Sequence, residues 1–210
     1  MKNHTLLILL LLLIVSFLIY SYYDESEYND YVIYIPDFLD QKDYHRLLKL
    51  IRNDSRPYGI NRNGLQKKTI NSEQINDLFY SDQQVQKLNR ITNNVVRRSK
   101  IPIEYRIYQK NKGMNWHKDI LLYKEPQYEC VFTVSNSSTS RTEYIDHTGK
   151  KHSVWTKPNS LMIVRADGYL HHVTPVTQGK REILKLVYTP TNQINMDKYT
   201  EYQQAVYGDT

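Results

Sequence analysis

Residues 170–188 read LHHVTPVTQGKREILKLVY, and the fold turns on this stretch. A histidine pair leads into Val173, Pro175 and Val176, then Gly179 precedes a run of alternating apolar residues, so the pattern predicts a short strand, a turn and a longer strand. A second stretch, Trp116-His117-Lys118-Asp119, places an imidazole and a carboxylate two residues apart, where an extended backbone sends both to one face. Taken together the stretches offer two histidines and one carboxylate. That donor set fills three octahedral positions on ferrous iron and leaves three for a chelating co-substrate and dioxygen. His171 and His172 leave any strand on opposite faces, so only one of them can complete the set. A cation follows on the next strand, either Lys180 or Arg181. The planar fork of arginine suits the far carboxylate of a dicarboxylate whose 2-oxo acid end chelates the metal.

Outward from these motifs, short β-type runs recur at Tyr105 to Tyr108, Ile120 to Tyr123, Glu129 to Val134, Ser160 to Arg165, His171 to Thr174 and Ile183 to Tyr188. Period-two runs separated by turns predict an antiparallel sandwich or jelly roll, with a hairpin turn at Asp146-His-Thr-Gly149. Upstream the period changes. Val32 to Ile35 is a short strand closed by Pro36, and Asp40 then caps a helix whose apolar stripe is Tyr44, Leu47, Leu48 and Ile51. Turn residues at 56–64 precede a helical stretch from Ser72 to Arg98, with Leu78, Val85, Leu88, Ile91 and Val95 as its buried face.

Composition narrows the chemistry. The chain has 210 residues, one cysteine, 28 Lys and Arg against 22 Asp and Glu, and a hydrophobic share of 40%, which describes one ordinary folded core. Cys130 alone excludes a disulfide framework, a cysteine zinc knuckle and an iron–sulfur cluster, and reads as a small core residue. The mild positive charge forms no continuous stripe, so no nucleic-acid partner is expected. Lys67-Lys68 and Arg97-Arg98-Ser-Lys100 read as solvated faces, and His147 and His152 as solvated or lining a substrate entrance. Trp116 and Trp155 read as packing residues.

Thr5 to Tyr23 carries no charge and is nearly all apolar, with Tyr20, Tyr22 and Tyr23 at its end, which predicts a transmembrane signal anchor. Lys2 keeps the N-terminus cytosolic, so the remainder is expected on the lumenal or extracellular side of a host endoplasmic-reticulum or viral membrane. The expected organisation is a stub and anchor at 1–23, a tether at 24–31, a catalytic domain at 32–190 and a tail at 191–210. On the exported side, Asn53-Asp-Ser and Asn136-Ser-Ser are glycosylation patterns.

The combined residues resemble the Fe(II)- and 2-oxoglutarate-dependent dioxygenases, in particular the prolyl 4-hydroxylase-like branch. The resemblance is carried by His117-Lys-Asp119 and by the spacing of His171, Val173, Pro175, Val176, Gly179 and Arg181. Ile35 to Asp40 with the Tyr44 helix, and Tyr108-x4-Gly113-x3-His117, support it. It implies an α+β chain whose double-stranded β-helix is preceded by supporting helices. It also implies that His117, Asp119 and His171 bind Fe(II), that Arg181 pairs with the C5 carboxylate of 2-oxoglutarate and that Tyr108 hydrogen-bonds it, and that ascorbate assists. The implied activity is hydroxylation of a polypeptide residue, proline first, with decarboxylation of 2-oxoglutarate to succinate. The alternative reading is an inactive β-sandwich membrane protein serving as a binding, surface or virion component.

Overall fold

A computed structural model describes residues 32–61 and 63–207. The expected anchor and tether lie outside the described residues. Among the described residues no helix is long and apolar enough to cross a membrane.

Twelve strands and four helices follow one another in the described chain. In order they are β1 (Val32–Ile35), α1 (Gln41–Arg52), β2 (Gly59–Ile60), β3 (Gln66–Ile70), α2 (Glu73–Tyr80), α3 (Asp82–Thr92), β4 (Arg97–Arg98) and β5 (Ile103–Tyr108). They continue with β6 (Met114–His117), β7 (Tyr128–Asn136), β8 (Thr142–Ile145), β9 (Lys151–Val154), β10 (Ser160–Arg165), β11 (Leu170–Val173), β12 (Arg181–Thr189) and α4 (Met196–Tyr207). The larger sheet runs β1-β10-β7-β12-β5-β3-β2, with β4 on β12, and the smaller runs β6-β11-β8-β9. Every ladder is antiparallel.

Strand period two splits the large sheet into two chemistries. Along β12, Leu184, Leu186 and Tyr188 enter the main core with Leu47, Leu78, Phe79 and Leu88 from the helices. Phe79 and Phe132 meet edge to face at 5.1 Å there, which favours a fixed core over a merely greasy one. The alternate residues Arg181, Ile183 and Lys185 line a cavity on the other side. Helices α1, α2 and α3 thus cover one face of the sheet, and the site lies on the opposite face.

Helix α1 forms as its sequence predicts. Asp40 accepts a hydrogen bond from the Asp43 N–H at 2.7 Å, and Leu47 and Ile51 are buried. The single helix expected from Ser72 to Arg98 is instead two. Ser81 adopts an extended backbone (ψ 154°) between α2 and α3, and Asn93 ends α3 in the left-handed region (φ 47°). That ending turns Val95 outward, 68% exposed, and brings Val96 in at 2%.

The expected strand at Ile120 to Tyr123 is also corrected, since only Tyr123 pairs, bridging Ile194. The Gln127 side chain donates to Ile120 O at 2.7 Å and accepts from Leu122 N–H at 3.1 Å, so one amide satisfies the backbone that a ladder would have used. Past residue 190 the chain still packs on the domain. Ile194, Tyr199 and Tyr202 join Ile101, Leu122, Tyr123 and Val187 in one apolar cluster. Asn136 is buried and donates to Thr156 O at 2.8 Å, which removes it as a glycosylation acceptor, whereas Asn53 is exposed at the end of α1. Cys130 is fully buried, as expected.

Candidate active site

Strand pairing assembles the expected donor set. His117 on β6 lies directly opposite His171 on β11, and paired residues share a face, so the two rings meet with centroids 4.3 Å apart. Asp119 follows β6 by two residues. Its carboxylate oxygens stand 3.9 Å from His117 Nε2 and 3.5 Å from His171 Nε2, and the candidate ligand atoms all lie within 4.8 Å of one another. Each ring is oriented through its other nitrogen. His117 Nδ1 is 2.8 Å from Asn115 O and His171 Nδ1 is 2.9 Å from Tyr169 O. An Nδ1–H donated to a carbonyl leaves the Nε2 lone pair aimed inward, which is how imidazoles that ligate metals are commonly held. Burial, and next the neighbouring His171, pull the pKa of His117 down and favour the neutral imidazole a metal requires. The three side chains fit a divalent cation with open positions on the cavity side.

The histidine doublet divides as strand geometry demands. His172 turns to the other face, stacks on Trp116 at 3.9 Å and bonds Glu143 at 2.8 Å. Only His171 stands with His117 and Asp119. Backbone contact enforces the β6–β11 approach, because a Cβ on Gly113 would sit 2.5 Å from Val173 O.

The cation choice resolves in the same way. Lys180 is an exposed partner of Glu182, whereas Arg181 is 1% exposed and faces the cavity. Arg181 lies opposite Tyr108, with its guanidinium carbon 5.8 Å from that ring, and donates through Nη1 to Thr142 Oγ1 at 3.1 Å. Among the described residues its Nε has no hydrogen-bond partner and no carboxylate pairs with it. Burial accordingly lowers its pKa. A buried arginine with an unmet donor awaits an anion. Among the described residues the Tyr108 hydroxyl bonds only the Met114 sulfur, at 3.0 Å. The pocket therefore fits a dicarboxylate with one end at Arg181 and Tyr108.

The cavity holding all these groups has a volume of about 500 Å³. The sequence reading missed its far wall, built from Lys67, Arg106, Glu129, Lys185 and Tyr202. Lys67, expected on a solvated face, instead lines this cavity, while Lys68 is buried and donates to Asp54 O at 2.7 Å. The available signal was strand parity, since Lys185 shares its face with Arg181 and Glu129 sits in an apolar run. His152 is occupied by Asp146 at 2.6 Å and stacks on Tyr144, and Trp155 donates to Ser138 O. His147 meets the Tyr169 hydroxyl at 3.2 Å.

No protein-family model matches the chain, and no curated protein matches it. Solved structures do. A prolyl-4-hydroxylase from Pseudomonas putida superimposes with a TM-score of 0.61 at 14% identity, covering 78% of this chain and 94% of that one. An oxidoreductase of the 2OG-Fe(II) oxygenase family from Burkholderia pseudomallei gives 0.68 at 12% identity, covering 78% and 86%. A prolyl hydroxylase from Trichoplax adhaerens, in complex with a peptide fragment of the hypoxia inducible factor oxygen degradation domain, gives 0.60 at 12%, covering 82% and 87%. The fold is therefore that of the 2-oxoglutarate- and Fe(II)-dependent oxygenases, as the motif resemblance implied.

Proposed function

We propose that the protein is an Fe(II)- and 2-oxoglutarate-dependent dioxygenase that hydroxylates a residue of a polypeptide, with proline as the first candidate, and that residues 1–23 anchor it in a membrane. The observation that carries the reading is Arg181, a fully buried cation without a carboxylate partner among the described residues, in the same cavity as His117, Asp119 and His171. A structural scaffold gains nothing from such a charge, because a buried unpaired ion costs several kcal/mol. The similarity to prolyl hydroxylases, one of them holding a peptide, supports a polypeptide target. The uncharged run from Thr5 to Tyr23 supports the anchor.

When bound, iron and 2-oxoglutarate supply oxygen activation coupled to release of succinate and carbon dioxide. The chain supplies the rest. His117, Asp119 and His171 would hold the metal, and the carbonyls of Asn115 and Tyr169 keep both rings in the ligating tautomer. Arg181 and Tyr108 would anchor the distal carboxylate of the co-substrate and so limit its orientation in the cavity. Val131, Ile183 and Val173 wall the cavity with apolar surface that excludes water from the reacting groups.

The test is anaerobic titration of the Fe(II)-loaded protein, residues 24–210, with 2-oxoglutarate while the visible metal-to-ligand charge-transfer band is followed. A saturable band supports the reading. Folded, iron-loaded protein with no band overturns it.

A further inference from the structure

The carboxylate arm of the site hangs from a segment outside the strand ladders. Residues 118–127 link β6 to β7, and of these only Tyr123 forms a β-bridge to another described residue. Burial does not fix the positions after Asp119 either, because Ile120 is 36% exposed and Leu121 39%. An aspartate has one methylene between backbone and carboxyl, so play in this backbone passes directly to the ligand oxygens.

Gln127 spans the gap. The residue is 0% exposed, and its amide is used at both ends. Nε2 donates to Ile120 O at 2.7 Å and to a Glu129 carboxylate oxygen at 3.3 Å, while Oε1 accepts from Leu122 N–H at 3.1 Å. Two acceptors against the NH2 and one donor against the oxygen fit a neutral amide in a single orientation. The partners of this clamp are themselves anchored. Lys185 on β12 holds Glu129 at 2.8 Å, and Asn195 N–H donates to Leu122 O at 3.0 Å. The amide therefore ties the residue after Asp119 to the large sheet.

We infer that Gln127 is a positioning residue for the metal, and that it sets the Asp119 carboxylate through the backbone of Ile120. The inference rests on the reading of Asp119 as a metal ligand. Groups that orient a ligand without touching the metal typically contribute about 10- to 100-fold in affinity.

The test uses the full-length chain in detergent and Zn(II), a diamagnetic ion suited to histidine and carboxylate donors. Calorimetric titration of wild type, Gln127→Met, Asp119→Ala and the double variant forms a double-mutant cycle. Gln127→Met is expected to raise the Kd at least ~10-fold when Asp119 is present, and less than ~2-fold in the Asp119→Ala background, where His117 and His171 remain. A merely structural role would loosen the histidines as well, so equal losses in both backgrounds overturn the proposal. A loss below ~3-fold beside an intact Asp119 overturns it too.

A second measurement needs no variant and so survives misfolding of Gln127→Met. Coupling between a bound ion and the clamp is reciprocal, so Zn(II) should slow hydrogen exchange of the Leu122 N–H in wild type at least ~5-fold. The Gly149 N–H, bonded to Asp146 O in the turn between β8 and β9, should exchange as before. Unchanged exchange at Leu122, or equal slowing at both amides, overturns the proposal. Failure of the underlying reading has its own signature, since Asp119→Ala would then bind Zn(II) as tightly as wild type.

Discussion

Arg181 carries a trade between stability and binding that a single substitution exposes. In the free protein its guanidinium is buried with an unmet donor, so Arg181→Met exchanges a costly ion for an apolar side chain of similar length. The variant is expected to melt no lower than wild type, and a few degrees higher by about 1 kcal/mol of relief. Losing a charge-assisted pair should weaken 2-oxoglutarate binding ~10- to 100-fold. Thermal shift with and without 2-oxoglutarate reads both at once, and a large fall in the unliganded Tm would show that Arg181 is structural. The histidine doublet offers a sharper contrast. His171→Ala should lose stoichiometric iron, while His172→Ala should keep it, because His172 faces Trp116 and Glu143 on the opposite side of the sheet. Iron content after desalting separates them, and iron loss confined to His172→Ala would reverse the assignment. Both residues were identifiable from sequence as a pair, since alternation along a strand forbids two ligands in succession. Which of them turns inward depends on the register of β11 against β6, a long-range pairing that a linear pattern does not contain.

At the scale of elements, the site is a product of two strands that must lie unusually close. Gly113 permits this, because a methyl group there would strike Val173 O and crowd Pro175 N at 3.0 Å. The obstacle is backbone, so it cannot rotate away. Gly113→Ala is therefore expected to cost about 1–3 kcal/mol and to weaken metal binding by displacing His117 from His171. Urea unfolding and a metal-binding isotherm measure the two effects, and a loss of stability with unchanged metal affinity would confine Gly113 to folding. Apolar strand runs were legible in sequence, and Ser160 to Arg165 coincides with its expected bounds. Elements governed by side-chain competition were not. The Gln127 amide occupies the backbone at 120–122 that an alternating pattern assigns to a strand, and extended Ser81 divides a helix whose apolar stripe continues across the break. Strand β6 is absent from the expected β-type runs, although its end at Trp116 and His117 reads as extended, because four residues are too few to set a period.

Across the whole molecule the sandwich has two interiors, one apolar under the helices and one charged around the cavity, and only the first follows a hydrophobic pattern. Glu104, Arg106, Glu129 and Lys185 alternate with core residues on β5, β7 and β12, so in sequence they resemble the solvated side of an ordinary strand. The second sheet folds over that side and converts it to interior. This inversion makes stability depend on pH. Burial works against the Glu104 carboxylate, yet Arg106 and Lys185 outweigh it and hold the pKa at about 2. In the unfolded chain a glutamate titrates near ~4.3, so as pH falls the unfolded state takes up its proton first. The contribution is fully present above about pH 5, of the order of 3 kcal/mol, and drains away as pH falls toward the folded value. Glu104→Gln should therefore be less stable than wild type at pH 7, because Arg106 loses its carboxylate, and the gap should narrow by at least half at pH 3. Urea midpoints at the two pH values measure this. A gap that stays constant with pH would mean that Glu104 stabilises the sheet by packing and that the charged interior is not coupled to protons.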